Sequence, residues 1–373
     1  MSSPDITQRE IDAVSEVLRT RFLSIGPQLE AFEREFASYV GASYAVGVNS
    51  GTSGLHLSIL AAGVGEGDVV LTTPFSFIAS SNCILYAGAE PVFVDVDPGT
   101  GNMDPDKAFD KVSQLVKVGR SVRAILPVHV FGQPADMEPI LDLAEEFGLV
   151  VIEDACEAIG AEYKGRKAGS LGDVAVFAFY PNKQMTTGEG GMIVTNRSDW
   201  DALFRSLRNQ GRDIFDEWLT HSRLGYNYRL DEMSAALGLT QLGRIEELLE
   251  KRSSVAEWYN ERLSELQEFI DLPYVAPSTT KMSWFVYVVR VKPPLERNIV
   301  MKKLAEFGIP SRPYFVPIHL QPYYRKLFGY KRGDFPITEY LGDVSLALPF
   351  SSVMRESDVD MVCEYLTKVI KGQ

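Results

Sequence analysis

The chain has 373 residues, 45% apolar and 23% charged, which is room for two domains, or one large domain with a lobe, around a well-buried core. A net charge of −13, with no block of lysine or arginine to offset it, argues against nucleic acid as a partner. No apolar run reaches the roughly 18 residues that span a bilayer, the first residues lack a signal-peptide pattern, and Cys83, Cys156 and Cys363 have no metal-type spacing, so free thiols in a cytoplasmic, soluble protein away from membranes are expected.

Helices are predicted over residues 7–19 and 28–39, with Ile11, Val14, Val17 and Leu18 on one face of the first and Leu29, Phe32 and Phe36 on one face of the second. From residue 44 the pattern changes to short apolar runs separated by amphipathic segments. Strands are predicted at 44–48, 69–73, 92–96, 124–129, 149–153, 174–180 and 192–195, with helices at 53–62, 78–87, 105–116 and 137–147 between them. Strands that are apolar throughout belong to a sheet covered on both faces, hence an α/β sandwich. Helices follow at 200–209 and from 230 through 242 toward 263. The turn-rich stretch 273–278 precedes a strand at 284–291, and helices are predicted at 298–307 and 358–370. A boundary near residue 245 divides the chain into a large domain, 1–245, and a small one, 246–373.

Four loops at strand ends carry the chemistry-bearing residues, and open α/β sheets place ligands at that edge. Asn49-Ser-Gly-Thr-Ser-Gly54 lies between a strand and a helix, where free N–H groups and the helix dipole favour an anion; simple capping by Ser50 or Thr52 fits the same residues. Asp154 ends an apolar strand and needs a cation or hydrogen-bond donors there, as a structural cap or ion pair or as the partner of a protonated heteroaromatic nitrogen. Phe77, in Thr73-Pro-Phe-Ser-Phe77, suits either the core or a stacked planar ring. Val176-Phe-Ala-Phe-Tyr-Pro-Asn-Lys183-Gln-Met-Thr-Thr-Gly-Glu-Gly-Gly191 reads as strand, loop, strand with Lys183 at the mouth of the loop. On spacing alone Lys183 is either a solvated surface lysine or a partly desolvated amine of the kind that bonds aldehydes. A phosphate cradle, a strand-end aspartate, an aromatic lid and a buried lysine together are what a pyridoxal-phosphate enzyme requires.

In their order and spacing these motifs resemble the DegT/DnrJ/EryC1/StrS family of sugar aminotransferases, which has the aspartate-aminotransferase fold. The resemblance runs from Ser24-Ile-Gly-Pro27 through Gly41-Ala42, Asn49–Gly54, Glu153-Asp154-Ala155 and Lys183–Gly191. It continues through Gly225-Tyr-Asn-Tyr-Arg-Leu230 and Ala235-Ala-Leu-Gly238 to Tyr314-Phe-Val-Pro-Ile-His319-Leu-Gln-Pro322. It implies a large domain with a mainly parallel mixed sheet between helices, a smaller C-terminal α+β domain, and pyridoxal 5′-phosphate or its pyridoxamine form as cofactor. By position it implies that Lys183 holds the cofactor covalently and moves protons. Asp154 would pair with the pyridinium nitrogen, Gly51, Thr52 and Ser53 bind the phosphate, and Phe77 stack on the ring. Asn227 would reach the phosphate of a neighbouring subunit, making a homodimer with shared sites, and Ser24, Tyr180, Arg229, Tyr314 and His319 would meet the substrate.

Two positions depart from the family's common pattern. Ala178 stands where a serine often contacts the phosphate, and Glu157, beside the cofactor, stands where glutamine is common, so Glu157 is expected to be protonated, turned away or paired. The implied reaction takes an amino group from L-glutamate and delivers it to a keto group on a nucleotide-linked deoxyhexose, for a surface glycan or an antibiotic sugar. Some dehydratase members carry histidine in place of this lysine, so Lys183 favours amino transfer over a dehydratase or lyase, and over a non-catalytic cofactor-binding regulator. Thr186-Thr187-Gly188-Glu189 is similar to members acting at C4 of the hexose, such as perosamine-type synthases. No metal site is expected.

Overall fold

The computed structural model describes residues 2–213 and 220–372. Strands β1 (Tyr44–Val48), β2 (Asp68–Thr72), β3 (Glu90–Phe93), β4 (Ser121–Ile125) and β5 (Val150–Asp154) alternate with helices. After the short strands β6 (Glu162–Tyr163) and β7 (Arg166–Lys167) come β8 (Val174–Ala178) and β9 (Gly191–Thr195). Seven of these form one sheet in the order β1-β9-β8-β5-β4-β2-β3. Strand β9 is antiparallel to both its neighbours, and the remaining pairs are parallel.

Side chains alternate between two buried layers, as the pleat requires. In β8, Val174 and Val176 face a core shared with the helices Gly51–Ala61 and Ser198–Arg208, while Ala175 and Phe177 face a core built on the helices Pro27–Val40 and Glu232–Leu242. Helices on both faces are why these strands carry no polar alternation.

A second sheet contains β10 (Ile270–Asp271), β12 (Tyr287–Val291), β13 (Arg312–Pro313) and β14 (Ser345–Leu348), antiparallel in the order β10-β12-β14-β13. The helices Arg297–Glu306 and Glu356–Lys371 cover it through Val300, Leu304, Val359 and Leu366. The strand β11 (Thr279–Lys281) pairs with β6 instead. The long helix Ile245–Leu263 belongs to both cores: Ile245, Leu248 and Leu249 pack against the large-sheet layer, and Val255, Ala256, Tyr259 and Leu263 against the second sheet. The later segment also crosses back, since Tyr324 packs on Phe93 and Leu341 joins the large core.

Three expectations are corrected. The helix predicted to run from residue 230 toward 263 is two helices, Glu232–Leu242 and Ile245–Leu263, because Arg244 at the junction turns back to Glu10 and Asp5, at 2.8 and 3.0 Å. The strand predicted from residue 284 begins at Tyr287. Trp284 has φ 49°, which no strand accommodates, and the Ser283 and Phe285 amides donate to the Gly132 and Phe131 carbonyls, at 3.1 Å each. The strand predicted over 124–129 ends at Ile125.

Candidate active site

A cavity of about 550 Å³ opens at the edge of the large sheet where β1, β5 and β8 end. Its sheet-side wall comes from the loops after those strands and after β2; its opposite wall comes from Phe285 and the segment Pro313, Tyr314 and Phe315.

The helix Gly51–Ala61 starts at this wall because Ser50 caps it, its hydroxyl accepting from the Ser53 amide at 3.1 Å. The first N–H groups of a helix have no partner within it, so Gly51 and Thr52, both on the cavity, present donors and the positive end of the dipole. Gly51 lies so close to β8 that a Cβ there would come 2.7 Å from Ala178 Cβ and 2.9 Å from Cys156 Sγ. Ser53 lies behind this edge, its hydroxyl donating to Asn49 Oδ1 at 2.7 Å.

Asp154 ends β5 and is 5% exposed. Its Oδ2 accepts from the Ser80 hydroxyl at 2.7 Å and its Oδ1 from the Cys156 amide at 3.2 Å. Ser80 is itself 2.7 Å from the hydroxyl of Ser76, four residues earlier in the loop that enters the helix Ala79–Tyr86. These donors satisfy part of a buried carboxylate and leave it facing the cavity.

Lys183 follows β8, in a turn where its amide donates to the Tyr180 carbonyl at 2.9 Å. Its Nζ lies 3.5 Å from Glu157 Oε1 and 3.9 Å from the centroid of the Phe285 ring. Glu157 Oε2 accepts from the Phe131 amide at 3.0 Å. Burial pushes the Glu157 carboxyl above its ordinary value, with Lys183 and that amide pulling it back. Glu157 is thus not turned away: it faces Lys183 and the Phe131 amide, with burial favouring its protonated form. Burial, and then the charge of Glu157, push the Tyr314 phenol up to about 12.

Gly51, Thr52, Phe77, Asp154, Glu157, Tyr180, Lys183 and Tyr314 therefore meet on one cavity. Phe77 and Tyr180 are 62% and 52% exposed at its rim. Ser24, Asn227 and Arg229 are not on its wall; Ser24 and Asn227 face solvent, and Arg229 donates to Asn209 at 3.1 Å. His319, expected at the substrate, is fully buried instead, its Nε2 3.0 Å from Glu339 Oε1 among Tyr330 and Phe335. That carboxylate also accepts from the Gly333 amide, so the pair holds a turn and offers nothing to the cavity. Sequence reasoning missed Ser80 and Phe285. The Ser76-x-x-x-Ser80 spacing, just after a strand end, was a readable signal for the first; nothing local marks the second.

The DegT/DnrJ/EryC1/StrS aminotransferase family model matches residues 4–367. The chain belongs to this family. It is 41% identical over 373 residues to the GDP-perosamine synthase of Caulobacter vibrioides, covering 99% of this chain and 98% of that one. Its fold matches a crystal structure of a family aminotransferase from Brucella abortus with a TM-score of 0.90 at 31% identity, over 97% of this chain and 95% of that one. It also matches the sugar aminotransferase Spr1654 of Streptococcus pneumoniae in its PLP form, with a TM-score of 0.92 at 26% identity, over 100% of this chain and 98% of that one.

The chain is accordingly a PLP-dependent transaminase of a sugar aminotransferase family, and pyridoxal phosphate is its cofactor. The cavity fits that group: an amine at Lys183, a hydrogen-bonded carboxylate at Asp154, and a helix N-terminus kept open by Gly51 stand on one wall.

Proposed function

We propose that this enzyme transfers the amino group of L-glutamate to a keto group, at C4 in preference to C3, of a nucleotide-linked deoxyhexose. The observation that carries the reading is the convergence of Lys183, Asp154 and the Gly51–Thr52 helix start on one cavity. The similarity to a GDP-perosamine synthase supports the sugar class, and the preference for C4 rests on the resemblance of Thr186-Thr187-Gly188-Glu189 to members acting there.

When bound, pyridoxal phosphate supplies an aldehyde that accepts an amine and a ring that takes up the electron pair left when a proton departs the adjoining carbon. Lys183 Nζ is the group that would hold the aldehyde, and it stands where a free amine could take up and return the proton. Asp154, steadied by Ser80 and the Cys156 amide, would be the partner of a protonated ring nitrogen. The Gly51 and Thr52 amides receive the phosphate, with Ser53 fixing the loop behind them. Ala178 offers no hydroxyl to that phosphate, so the helix start carries more of its binding. Phe77 covers the ring from the rim, and Glu157 orients the amine. Tyr180 and Tyr314 contact the sugar substrate at the mouth.

We also propose a homodimer in which Asn227, with Arg229 and Ser24 close by, reaches the partner's cavity. Asn227 and Ser24 face solvent in one subunit, and exposed Leu18, Phe22, Leu23 and Ile25 lie beside Ser24 in the chain. Mixing inactive Lys183→Ala subunits with inactive Asn227→Ala subunits tests this: verified heterodimers that regain activity support shared sites, and none regained removes them. For the reaction, purified enzyme is given L-glutamate with a nucleotide-linked 4-keto or 3-keto deoxyhexose. Formation of 2-oxoglutarate with the 4-keto sugar is the expected result; product without glutamate consumption would make the enzyme a lyase or dehydratase.

A further inference from the structure

We propose that Arg252 is a positioning residue for Lys183: its guanidinium clamps the lysine turn to the segment carrying Phe285 and so sets where the amine stands. This rests on the reading that Lys183 bonds the cofactor. Arg252 lies in the helix Ile245–Leu263 and is 1% exposed. It donates to the Lys183 carbonyl at 2.9 Å and the Asn182 carbonyl at 3.4 Å on one side. On the other it donates to the Trp284 and Phe285 carbonyls, at 3.1 Å each.

A buried guanidinium normally pairs with a carboxylate, because the desolvated charge is otherwise costly. Among the described residues none pairs with Arg252, and burial alone lowers its pKa, to about 10, so it remains a cation at neutral pH. Four backbone carbonyls stand in for the counterion. Only a planar fork with several donors can serve two chain segments this way, and a lysine ammonium has neither the span nor the fixed geometry.

The clamp ends at the amine itself. Holding the Phe285 carbonyl holds its ring, and that ring lies under Lys183 Nζ at 3.9 Å. A second tie runs beside it: Gln184 Nε2 donates to the Glu157 carbonyl at 2.6 Å and to Ser283 Oγ at 2.8 Å. The turns carrying Lys183 and Glu157 and the strap 283–285 are thereby joined. Arg252 also sits where its helix passes from one core to the other, so the placement of the second sheet is transmitted to the lysine.

The test uses the full-length protein stripped of cofactor, with Arg252→Lys and Arg252→Gln beside the parent. Two quantities are read. One is the rate of covalent attachment of pyridoxal phosphate, trapped with borohydride and mapped to Lys183. The other is the affinity for pyridoxamine phosphate, which has the same ring and phosphate but forms no bond to the lysine. Both variants are expected to slow attachment by about tenfold or more, the scale of a reacting group displaced by a fraction of an ångström, with pyridoxamine phosphate affinity held within about twofold. A damaged fold would weaken both together, and that parallel loss overturns the proposal, as does unchanged attachment. Full rescue by lysine also overturns it, because charge and not the fork would then be sufficient. If neither variant folds, Phe285→Leu must give the same split between the two measurements or the proposal fails. Label missing from Lys183 in the parent would sink the functional reading and this one with it, whereas normal labelling of unaffected variants sinks the clamp alone.

Discussion

The two walls of the cavity are built differently. On the sheet side, the main cavity residues sit within a few positions of a strand end, where local bonds fix each turn: Ser50 with Ser53, Asp154 with the Cys156 amide, Lys183 with Tyr180. Distant partners, Ser80 for Asp154 and Glu157 for Lys183, are added to that local frame. On the opposite side, Phe285 and Tyr314 come from segments that reach the cavity only because the second core packs there and because distant groups hold them. Arg252 is bonded across 32 and 33 residues to the Trp284 and Phe285 carbonyls. The sheet side can therefore carry chemistry that tolerates little displacement, while the far side shapes what enters and orients what is already there.

Substitutions on the two walls should separate accordingly. The largest effect is expected from Lys183→Ala: turnover should fall by about 10⁴-fold or more, with the yellow absorbance of the bonded cofactor gone and thermal stability little changed. Surviving activity with that absorbance would remove Lys183 from its place. Asp154→Asn should come next, lowering turnover by about 10² to 10³-fold while pyridoxamine phosphate still binds, since a charge aimed at the ring is lost and the phosphate cradle is not. Equal losses in both measurements would mean that Asp154 is structural.

Gly51→Ala sharpens the comparison from within the sheet wall. Its Cβ would stand 2.7 Å from Ala178 Cβ, so the helix start must shift, at an overpacking cost of about 1–3 kcal/mol read as weaker cofactor binding. Titration calorimetry with pyridoxamine phosphate measures it, and unchanged affinity would move the phosphate away from this edge. On the far wall, Tyr314→Phe should raise KM for the sugar by about two- to tenfold, the worth of one hydrogen bond, and leave kcat within about twofold. A drop in kcat instead would put the phenol in the chemistry.

The smallest effect is a pH dependence. The Glu157 carboxyl has an ordinary value of 4.5 and is raised by burial. Between that value and the raised one the folded state holds a proton that the unfolded state has released. The resulting stability is full at and below 4.5 and is lost as pH rises through the raised value. In the cofactor-free protein, Glu157→Gln should flatten this decline in Tm over that window, and an unchanged slope would show that Glu157 ionises normally.

The strands of the large sheet could be read because being covered on both faces makes each a continuous apolar run, and their ends bring Asp154 and the Asn49–Gly54 loop to one edge by topology alone. Lys183 could be read only with those loops beside it, because its own spacing fits a solvated surface lysine equally well. Position in a motif misled at His319, where a polar ring with a local partner in Glu339 proves to be part of a packed turn.

By itself the sequence determined most strands of the large sheet and the helices between them, because period and capping are written in residues a few places apart, and it determined which edge of the sheet carries the reactive groups. Only the tertiary structure decided that a helix break at Arg244 precedes a helix shared by two cores, that Glu157 pairs with Lys183, and that Arg252 and Phe285 stand behind the amine. Those contacts join segments tens to hundreds of residues apart, and whether they form depends on how whole layers pack, which no short window of residues encodes.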